Sequence, residues 1–477
     1  MELAALLAGL EIQEIVGEIR VRIERLCFDS REAGRGALFF CLTGGKRDGH
    51  DYAFEAVAKG AVALVCERKL PLAVPQVLVA DSRAAMSLMA SHFYGDPAKL
   101  LKTVTVTGTN GKTTTTYLLK SIFEADGQKC GLIGTMGARI GERAEAASLT
   151  TPDPIEFSRL LADMVKAGVR VVAAEASAHA IYYRKLAGLC ADVGIFTNLT
   201  QDHLDFFGDL NTYANVKAGY FTPKNVRTAL INADDEVGRQ IIRGTRCDTL
   251  SYALDHTAEI YADRVRHTRE GFSALVNLFD RPLEVRCRLH GQFNVYNMLA
   301  AAGAAAALGV PDKSVAAGIA ALREVEGRFN VFHRGELTVI VDFAHTPDGL
   351  RNVLKAARAM TKGRLICVFG CGGNRDRAKR PIMGRIAGEL ADFCVVTSDN
   401  PRFEDPFAIM QEIERGLTGR YILIENRTRA IAYAVESGEP GDTVIVCGKG
   451  GEQYQEVAGC RHPYSDREVV RRVLHLT

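Results

Sequence analysis

The sequence predicts an α/β protein built in three parts. Short apolar, β-branched runs recur with helical stretches between them, and polar or glycine-rich turns follow many of these runs. At 477 residues the chain is also too long for one ordinary α/β core. Residues 1–97 carry ALFFCL, AVALVCE and QVLVAD, with the helical YAFEAVAKG between the first two, before Gly95-Asp96-Pro97 breaks the pattern. Residues 98–326 hold TVTVTG, VRVVAAE and ADVGIFTN, which are continuous and apolar, as strands covered on both faces are. An alternating stretch over about 245–290 suggests an antiparallel elaboration, and a helix is expected from about Val295 to Leu308. Residues 327–477 repeat strand–loop–helix in TVIVDFAH, LICVFGCGG, FCVVTSDN and TVIVCGKG, a Rossmann-like pattern that places ligands beyond the strands' carboxyl ends.

Composition narrows the function. Apolar residues make up 47% and charged residues 24%, with a net charge of +2, so nothing points to nucleic acid. The basic run RDRAKR at 375–380 needs a local explanation. Twelve cysteines are irregularly spaced, several inside apolar runs, and read as buried reduced thiols; Cys367 and Cys371 lack the second pair of a zinc set. The opening MELAALLAGLEIQEIV is interrupted by Glu2 and Glu11 and reads as an amphipathic helix, not a signal peptide. No stretch predicts membrane insertion, so the expected compartment is the cytoplasm. A monomer is expected.

The sharpest motif is TVTVTGTNGKTTTTYLLK. A strand ends at Thr107, a tight turn follows, and Thr113 opens a helix. Gly108 and Gly111 permit the turn and close approach to phosphate, with Thr109 and Asn110 between them and Thr114 behind. Lys112 can meet the β/γ phosphates and the Thr113 hydroxyl can ligate Mg²⁺. Val106 departs from the full GxxxxGK[ST] pattern, and a structural turn is the plain alternative. Glu175 ends an apolar strand, where a carboxylate must be solvated, paired or metal-bound. His203 lies in a loop between Asp202 and Asp205, which offers oxygen and imidazole ligands or only capping chemistry.

Taken together, GTNGKTT at 108–114, TTPD at 150–153, EASAH at 175–179, NLTQDHLDFFG at 198–208 and NADD at 232–235 resemble the Mur ligase superfamily. FDSR at 28–31, HGQFNVYN at 290–297, GRF at 327–329, GCGGNRDRAKRP at 370–381, SDNPR at 398–402 and GKGGEQYQ at 448–455 extend the likeness over nearly the whole chain. The resemblance implies a three-domain Mur ligase, with an N-terminal UDP-substrate domain, a central P-loop ATPase-like domain and a C-terminal amino-acid domain. ATP would activate a carboxylate as an acyl phosphate, which an amine then attacks. SDNPR resembles the branch that adds meso-2,6-diaminopimelate to UDP-MurNAc-L-Ala-D-Glu.

The implied roles follow the motifs. Lys112, Glu175, His203 and Lys217 would be catalytic, with Lys217 carbamylated and Thr113, Glu175, His203 and Lys217 around Mg²⁺. ATP would meet residues 108–114, Asn294, Arg328 and Asp342; for Asn294 a helix N-cap is the alternative. Phe28, Ser30, Gly45, Lys46 and Arg47 would hold the UDP portion, and Thr150, Thr151, Ser177 and Lys185 the muramoyl dipeptide. Arg375, Asp399, Asn400, Pro401, Arg402, Gly448 and Glu452 would read diaminopimelate, Arg402 through a planar fork that Lys lacks. The chain departs from the family pattern at Leu149, Ala176, Ala178, Tyr183, Lys185 and Gly451. Competing readings are a lysine-adding or other Mur-type ligase, a folylpolyglutamate synthase, an ATPase or kinase, and a nonenzymatic nucleotide-binding regulator.

Overall fold

The computed structural model describes residues 1–45, 47–141, 143–146 and 149–476. Among them the strands form three main sheets and a separate hairpin. The first sheet runs Ile12–Val16, Gln76–Val79, Ala61–Cys66, Ala37–Phe40 and Arg25–Cys27, parallel except for its antiparallel first edge. That edge corrects the expected N-terminal helix. Only Leu3–Leu6 is helical, Gly9 turns at φ +70, and the IQEIV run pairs with Gln76–Val79. The apolar spacing of Leu3 and Leu6 supports a single turn. Beyond it, IQEIV is exposed along its middle, as an edge strand is.

The second sheet has eleven strands. Its parallel centre places Lys102–Thr107 between Val171–Glu175 and Ala191–Phe196, with Glu175 level with Val106 and Phe196 level with Thr107. The strands Ile260–Thr268, Gly271–Leu278 and Arg281–Cys287 form the antiparallel extension expected over 245–290. Behind the central strand lies the helix Lys112–Ala125, whose Leu118, Leu119, Ile122 and Phe123 are wholly buried, each contributing about 2 kcal/mol. This burial anchors the turn that precedes it. Gln292–Ala307 packs on the same helix, and its alanines allow close approach.

The third sheet runs Asn330–Arg334, Leu337–Asp342, Thr443–Cys447, Leu365–Phe369, Phe393–Val396 and Tyr421–Leu423. Only the first edge is antiparallel. The basic run at 375–380 finds its explanation here. Arg380, wholly buried, binds Glu404 at 2.8 Å and Glu412 at 2.9 Å, and Arg377 also binds Glu412. Among the described residues, no helix is long and apolar enough to cross a membrane.

Candidate active site

Three neighbouring strands of the central sheet end at one place, and their sequence fixes what sits there. Gly108 adopts φ +147 and a Cβ would fall 1.8 Å from Thr197 Oγ1; Gly111 adopts φ +88 and a Cβ would fall 2.3 Å from Asn297 Oδ1. Only glycine fits either position. Asn198 Oδ1 accepts from the Asn110 N–H at 3.0 Å, and Thr197 Oγ1 donates to Asn110 O at 2.6 Å, so the next strand's end clamps the turn. The helix begins at Lys112, one residue earlier than expected. Thr109 accepts from Thr200 N at 3.0 Å, and Thr114 is buried behind the turn.

Glu175 is 1% exposed and its carboxylate is held by hydroxyls and an amide: Thr113 Oγ1 at 2.9 Å, Thr135 N at 3.0 Å and Thr135 Oγ1 at 3.0 Å. A buried carboxylate satisfied by neutral donors is set to receive a cation. Arg328 Nη2 reaches Thr113 Oγ1 at 3.0 Å from the third part of the chain, its guanidinium stacked 4.1 Å over Phe343. Asp342 accepts from Phe329 N at 2.8 Å and Ala344 N at 2.7 Å, and burial raises its carboxyl. Asp342 therefore fixes the bend that aims Arg328.

Two lysines meet the turn's carbonyls. Lys112 Nζ donates to Gly108 O at 2.9 Å and Thr109 O at 2.8 Å. Lys217, on the helix Leu210–Ala218, is 1% exposed; its Nζ donates to Gly108 O at 3.0 Å and lies 4.9 Å from the centre of the Tyr213 ring. Burial lowers both amines, and Lys112 lowers Lys217 further, so that Lys217 falls well below the ordinary lysine range. His203, in left-handed backbone at φ 56, lies 3.3 Å from Asp202 and meets His179 edge to face at 4.9 Å. Burial lowers the His203 imidazole against the pull of Asp202, keeping it neutral. Thr113 and Glu175 are thus brought together, while Lys217 and His203 approach the loop from other elements. Among the described residues, no group of three or more His, Cys, Asp or Glu could hold a metal ion.

The helix Gln292–Ala307 buries Asn294 and Asn297, and its cap is Gly291. Asn294 is inside the helix, so the N-cap alternative is corrected: its Nδ2 donates to His290 O at 2.7 Å and its Oδ1 accepts from Asn297 at 2.9 Å. His290, Arg328 and Phe329 help line a cavity of about 120 Å³ between the second and third parts.

On the other side, Thr151 Oγ1 donates to Glu175 O at 2.7 Å and accepts from Ser177 N at 3.0 Å. Ser177 caps the helix Ala178–Tyr182, and Thr150 meets Thr135 at 3.2 Å. Lys185 lies 2.8 Å from Asp153. In the first part, Ser30 donates to Glu55 at 2.9 Å, Phe28 is half-buried, and Gly45 and Arg47 are exposed. Lys46 lies outside the described residues.

The third sheet contributes a separate cluster. Asp399 accepts from Asn400 N at 2.7 Å through Oδ1, while its buried Oδ2 has no hydrogen-bond partner. Burial works to raise this carboxyl, but Lys449, Arg427 and the Asn400 N–H bring it below the usual range. Gly448 lies beside it at φ +123, where a Cβ would sit 2.5 Å from Oδ2. Asn400 donates to Glu452 at 3.0 Å, and Arg402, with φ 53, binds Glu456 at 3.2 Å and Gly373 O at 2.7 Å. Pro401 is buried and Arg375 exposed. The third part also meets the central part directly: Gln201 donates to Asp376 at 3.2 Å, and Asn110 of the turn donates to Asp348 at 3.2 Å.

Three family models match in order along this chain: Mur ligase family, catalytic domain over 22–94, Mur ligase middle domain over 106–305, and Mur ligase, glutamate ligase domain over 327–450. The chain belongs to the Mur ligase family. It is 42% identical over 460 residues, 94% of each chain, to the UDP-N-acetylmuramoyl-L-alanyl-D-glutamate–2,6-diaminopimelate ligase of Geobacillus kaustophilus. It is 41% identical to that of Halalkalibacterium halodurans, over 99% of each chain. A solved structure of a ligase of that name matches with TM-score 0.72 and 32% identity, covering 100% of this chain and 99% of the other. A MurF ligase from Thermotoga maritima in complex with ADP shares the fold at 20% identity and TM-score 0.62, over 95% and 96% of the two chains.

Several residues of this Mur ligase escaped the sequence reading. Thr135 holds both oxygens of Glu175. Lys449, 0% exposed, donates to Asn400 at 2.7 Å, Tyr454 O at 2.8 Å and Glu452 at 3.1 Å. Arg427, paired with Asp466 at 2.7 Å, holds Ser398 O and Cys447 O at the ends of two strands. The signal for Lys449 was present as a lysine in a glycine loop after an apolar strand. The sequence carries no comparable mark at Thr135.

Proposed function

We propose that this Mur ligase uses ATP to join meso-2,6-diaminopimelate to the D-glutamyl γ-carboxylate of UDP-MurNAc-L-Ala-D-Glu, releasing ADP and phosphate. The observation that carries the reading is the unpaired, buried Asp399 Oδ2 beside Gly448 in one loop with Arg402. An ionised acceptor without a donor suits an ammonium, and a guanidinium suits the carboxylate next to it. Diaminopimelate carries both groups on its far carbon; L-lysine carries the ammonium alone. The names of the full-length relatives support the same substrates.

In this reading residues 1–97 hold the UDP portion through Phe28, Ser30, Gly45, Lys46 and Arg47, residues 98–326 hold ATP, and residues 327–477 deliver the amino acid. Thr150, Thr151, Ser177 and Lys185 stand on the dipeptide side. The N–H groups of the 108–114 turn and Lys112 hold the terminal phosphates, Lys112 leaving its two carbonyls for them. Asn294 faces adenine, and Arg328 supplies positive charge from the other domain. The γ-carboxylate attacks the terminal phosphorus and ADP leaves. The amine of diaminopimelate then adds to the acyl carbon, and phosphate departs as the amide forms. No protein nucleophile is needed; alignment and exclusion of water lower the barrier.

Mg²⁺ fits the neutral-donor cradle around Glu175 and the Thr113 hydroxyl. This hard cation keeps waters and phosphate oxygens, needing few protein ligands. When bound it would offset charge on the transferred phosphoryl group. The depressed Lys217 amine is the form that adds to CO₂, its nitrogen forming the N–C bond and losing a proton to give a carbamate. That carbamate and neutral His203 would complete the surroundings of the cation. A cytoplasmic monomer is the state consistent with soluble nucleotide substrates and a site assembled from one chain.

The test supplies UDP-MurNAc-L-Ala-D-Glu, ATP and Mg²⁺ with either meso-diaminopimelate or L-lysine, and measures ADP and UDP-tripeptide by mass. UDP-tripeptide with diaminopimelate alone is expected. ADP without an amide product overturns the ligase reading, and equal product with L-lysine overturns the specificity.

A further inference from the structure

The segment Tyr183-Arg184-Lys185 lies in the central part but makes its polar contacts in three directions. Lys185 turns toward the dipeptide side, 2.8 Å from Asp153 and 3.5 Å from Thr151 O. Arg184, held at φ 51, lies 3.1 Å from Asp81, which caps the helix Ser82–Phe93 in the N-terminal part; Ser87 of that helix donates to Arg184 O at 2.8 Å. Tyr183 lies under Arg83 of the same helix, the guanidinium 4.6 Å from the ring centre.

Arg83 has a second engagement. Its Nη2 donates to Thr43 O at 2.8 Å, at the base of the loop that carries Gly45 and Arg47. Thr43 bridges to Asp48, and Gly44 N donates to Arg47 O at 2.9 Å, so the base of the loop is closed. Fixing Thr43 therefore fixes the loop's direction. Thr43 also donates to Glu67 at 3.0 Å, which orients the carbonyl that Arg83 grips. One arginine thus joins the loop of the first sheet to an aromatic ring two residues from Lys185.

We propose that Arg83 and Tyr183 form a positioning pair that sets the spacing between the loop for the UDP end of the substrate and the site for its dipeptide end. This rests on the function proposed above. A long substrate bound at both ends gains affinity only when its two sites are held at the right separation. The stacked guanidinium supplies that constraint across the domain boundary, where exposed charge pairs alone hold loosely. Tyrosine at 183 provides a flat face for Arg83 that a small or amide side chain lacks. Neither residue touches the phosphate turn or the Asp399 cluster, so the effect is confined to one substrate.

The test measures binding of UDP-MurNAc-L-Ala-D-Glu by calorimetry and steady-state KM for all three substrates. The proteins are the intact enzyme, Tyr183→Ala, Arg83→Ala, the double variant, Tyr183→Phe and Arg83→Lys. Tyr183→Ala and Arg83→Ala are each expected to weaken UDP-substrate binding by about three- to tenfold, in line with a cation–π contact. KM for ATP and diaminopimelate stays level. The double variant loses no more than either single one, Tyr183→Phe keeps wild-type binding, and Arg83→Lys falls between. Losses that multiply in the double variant, or Tyr183→Phe as weak as Tyr183→Ala, overturn the pair in favour of a direct substrate contact by the tyrosine. If the alanine variants do not fold, Tyr183→Phe and Arg83→Lys decide: unchanged binding in Arg83→Lys, or loss in Tyr183→Phe, overturns it. A wild-type enzyme that binds no UDP-dipeptide refutes the function and this inference together, whereas normal wild-type binding unaltered in the alanine variants refutes the inference alone.

Discussion

Lys217 and Lys449 are both withdrawn from water, and they are buried in opposite ways. Lys217, in the central part, has a backbone carbonyl at 3.0 Å, a threonine hydroxyl at 3.4 Å and a tyrosine face around its amine, with no carboxylate in contact. Lys449, in the third part, has Glu452 at 3.1 Å together with two oxygens, from Asn400 and Tyr454, at 2.7 and 2.8 Å. A buried ammonium without an anion sheds its proton, while one with an anion and full hydrogen bonding holds its neighbours in place. The first arrangement favours a neutral amine; the second braces the loop proposed above to read the incoming amino acid. Burial alone does not tell them apart. Their partners do.

The strongest way to break this comparison is Lys217→Met. Ligation should fall by more than about a hundredfold, the scale of losing one electrostatic stabiliser. Folding should not suffer. In bicarbonate-free buffer the unfolded chain binds a proton that the folded Lys217 does not, over the pH interval from its lowered value up to 10.5. Wild-type stability therefore rises with pH across that interval. The variant's advantage in denaturant titrations should accordingly shrink as pH increases, and an advantage that grows would contradict a depressed amine.

Lys449→Met should act in reverse. Removing one partner of a buried pair costs about 3 kcal/mol of stability. KM for diaminopimelate should rise as Asn400 and Glu452 lose their tether, while KM for ATP remains near wild type. Unchanged stability would mean that the pair is not holding the loop. The smallest effect is expected from Arg402→Lys, which keeps the charge and loses the planar fork: about a tenfold rise in the diaminopimelate KM, read from steady-state kinetics. An unchanged KM would remove Arg402 from substrate recognition.

The sequence revealed the Gly108–Lys112 turn because its constraints are local. A strand, two glycines and a helix start leave few other conformations, and the structure adds only which neighbours enforce them. Glu175 was legible for a similar reason, as a charge closing an apolar strand. The N-terminal segment was misread because four apolar positions in one turn carry the same period as a longer helix, and the antiparallel partner that makes Ile12–Val16 a strand lies more than sixty residues away. The edge strand Asn330–Arg334 and the hairpin Tyr454–Val457 with Cys460–Pro463 were also missed: both are short, mixed in polarity and paired across tight turns, so neither shows an apolar run. The contrast between Lys217 and Lys449 lay outside any local pattern, since it depends on residues brought together from separate elements.

The acyl phosphate can be followed directly with ¹⁸O in the D-glutamyl γ-carboxylate of UDP-MurNAc-L-Ala-D-Glu. Mass analysis of the phosphate released with ADP should find one labelled oxygen carried over for each amide formed. Phosphate free of label beside a normal yield of UDP-tripeptide would contradict carboxylate activation by phosphoryl transfer.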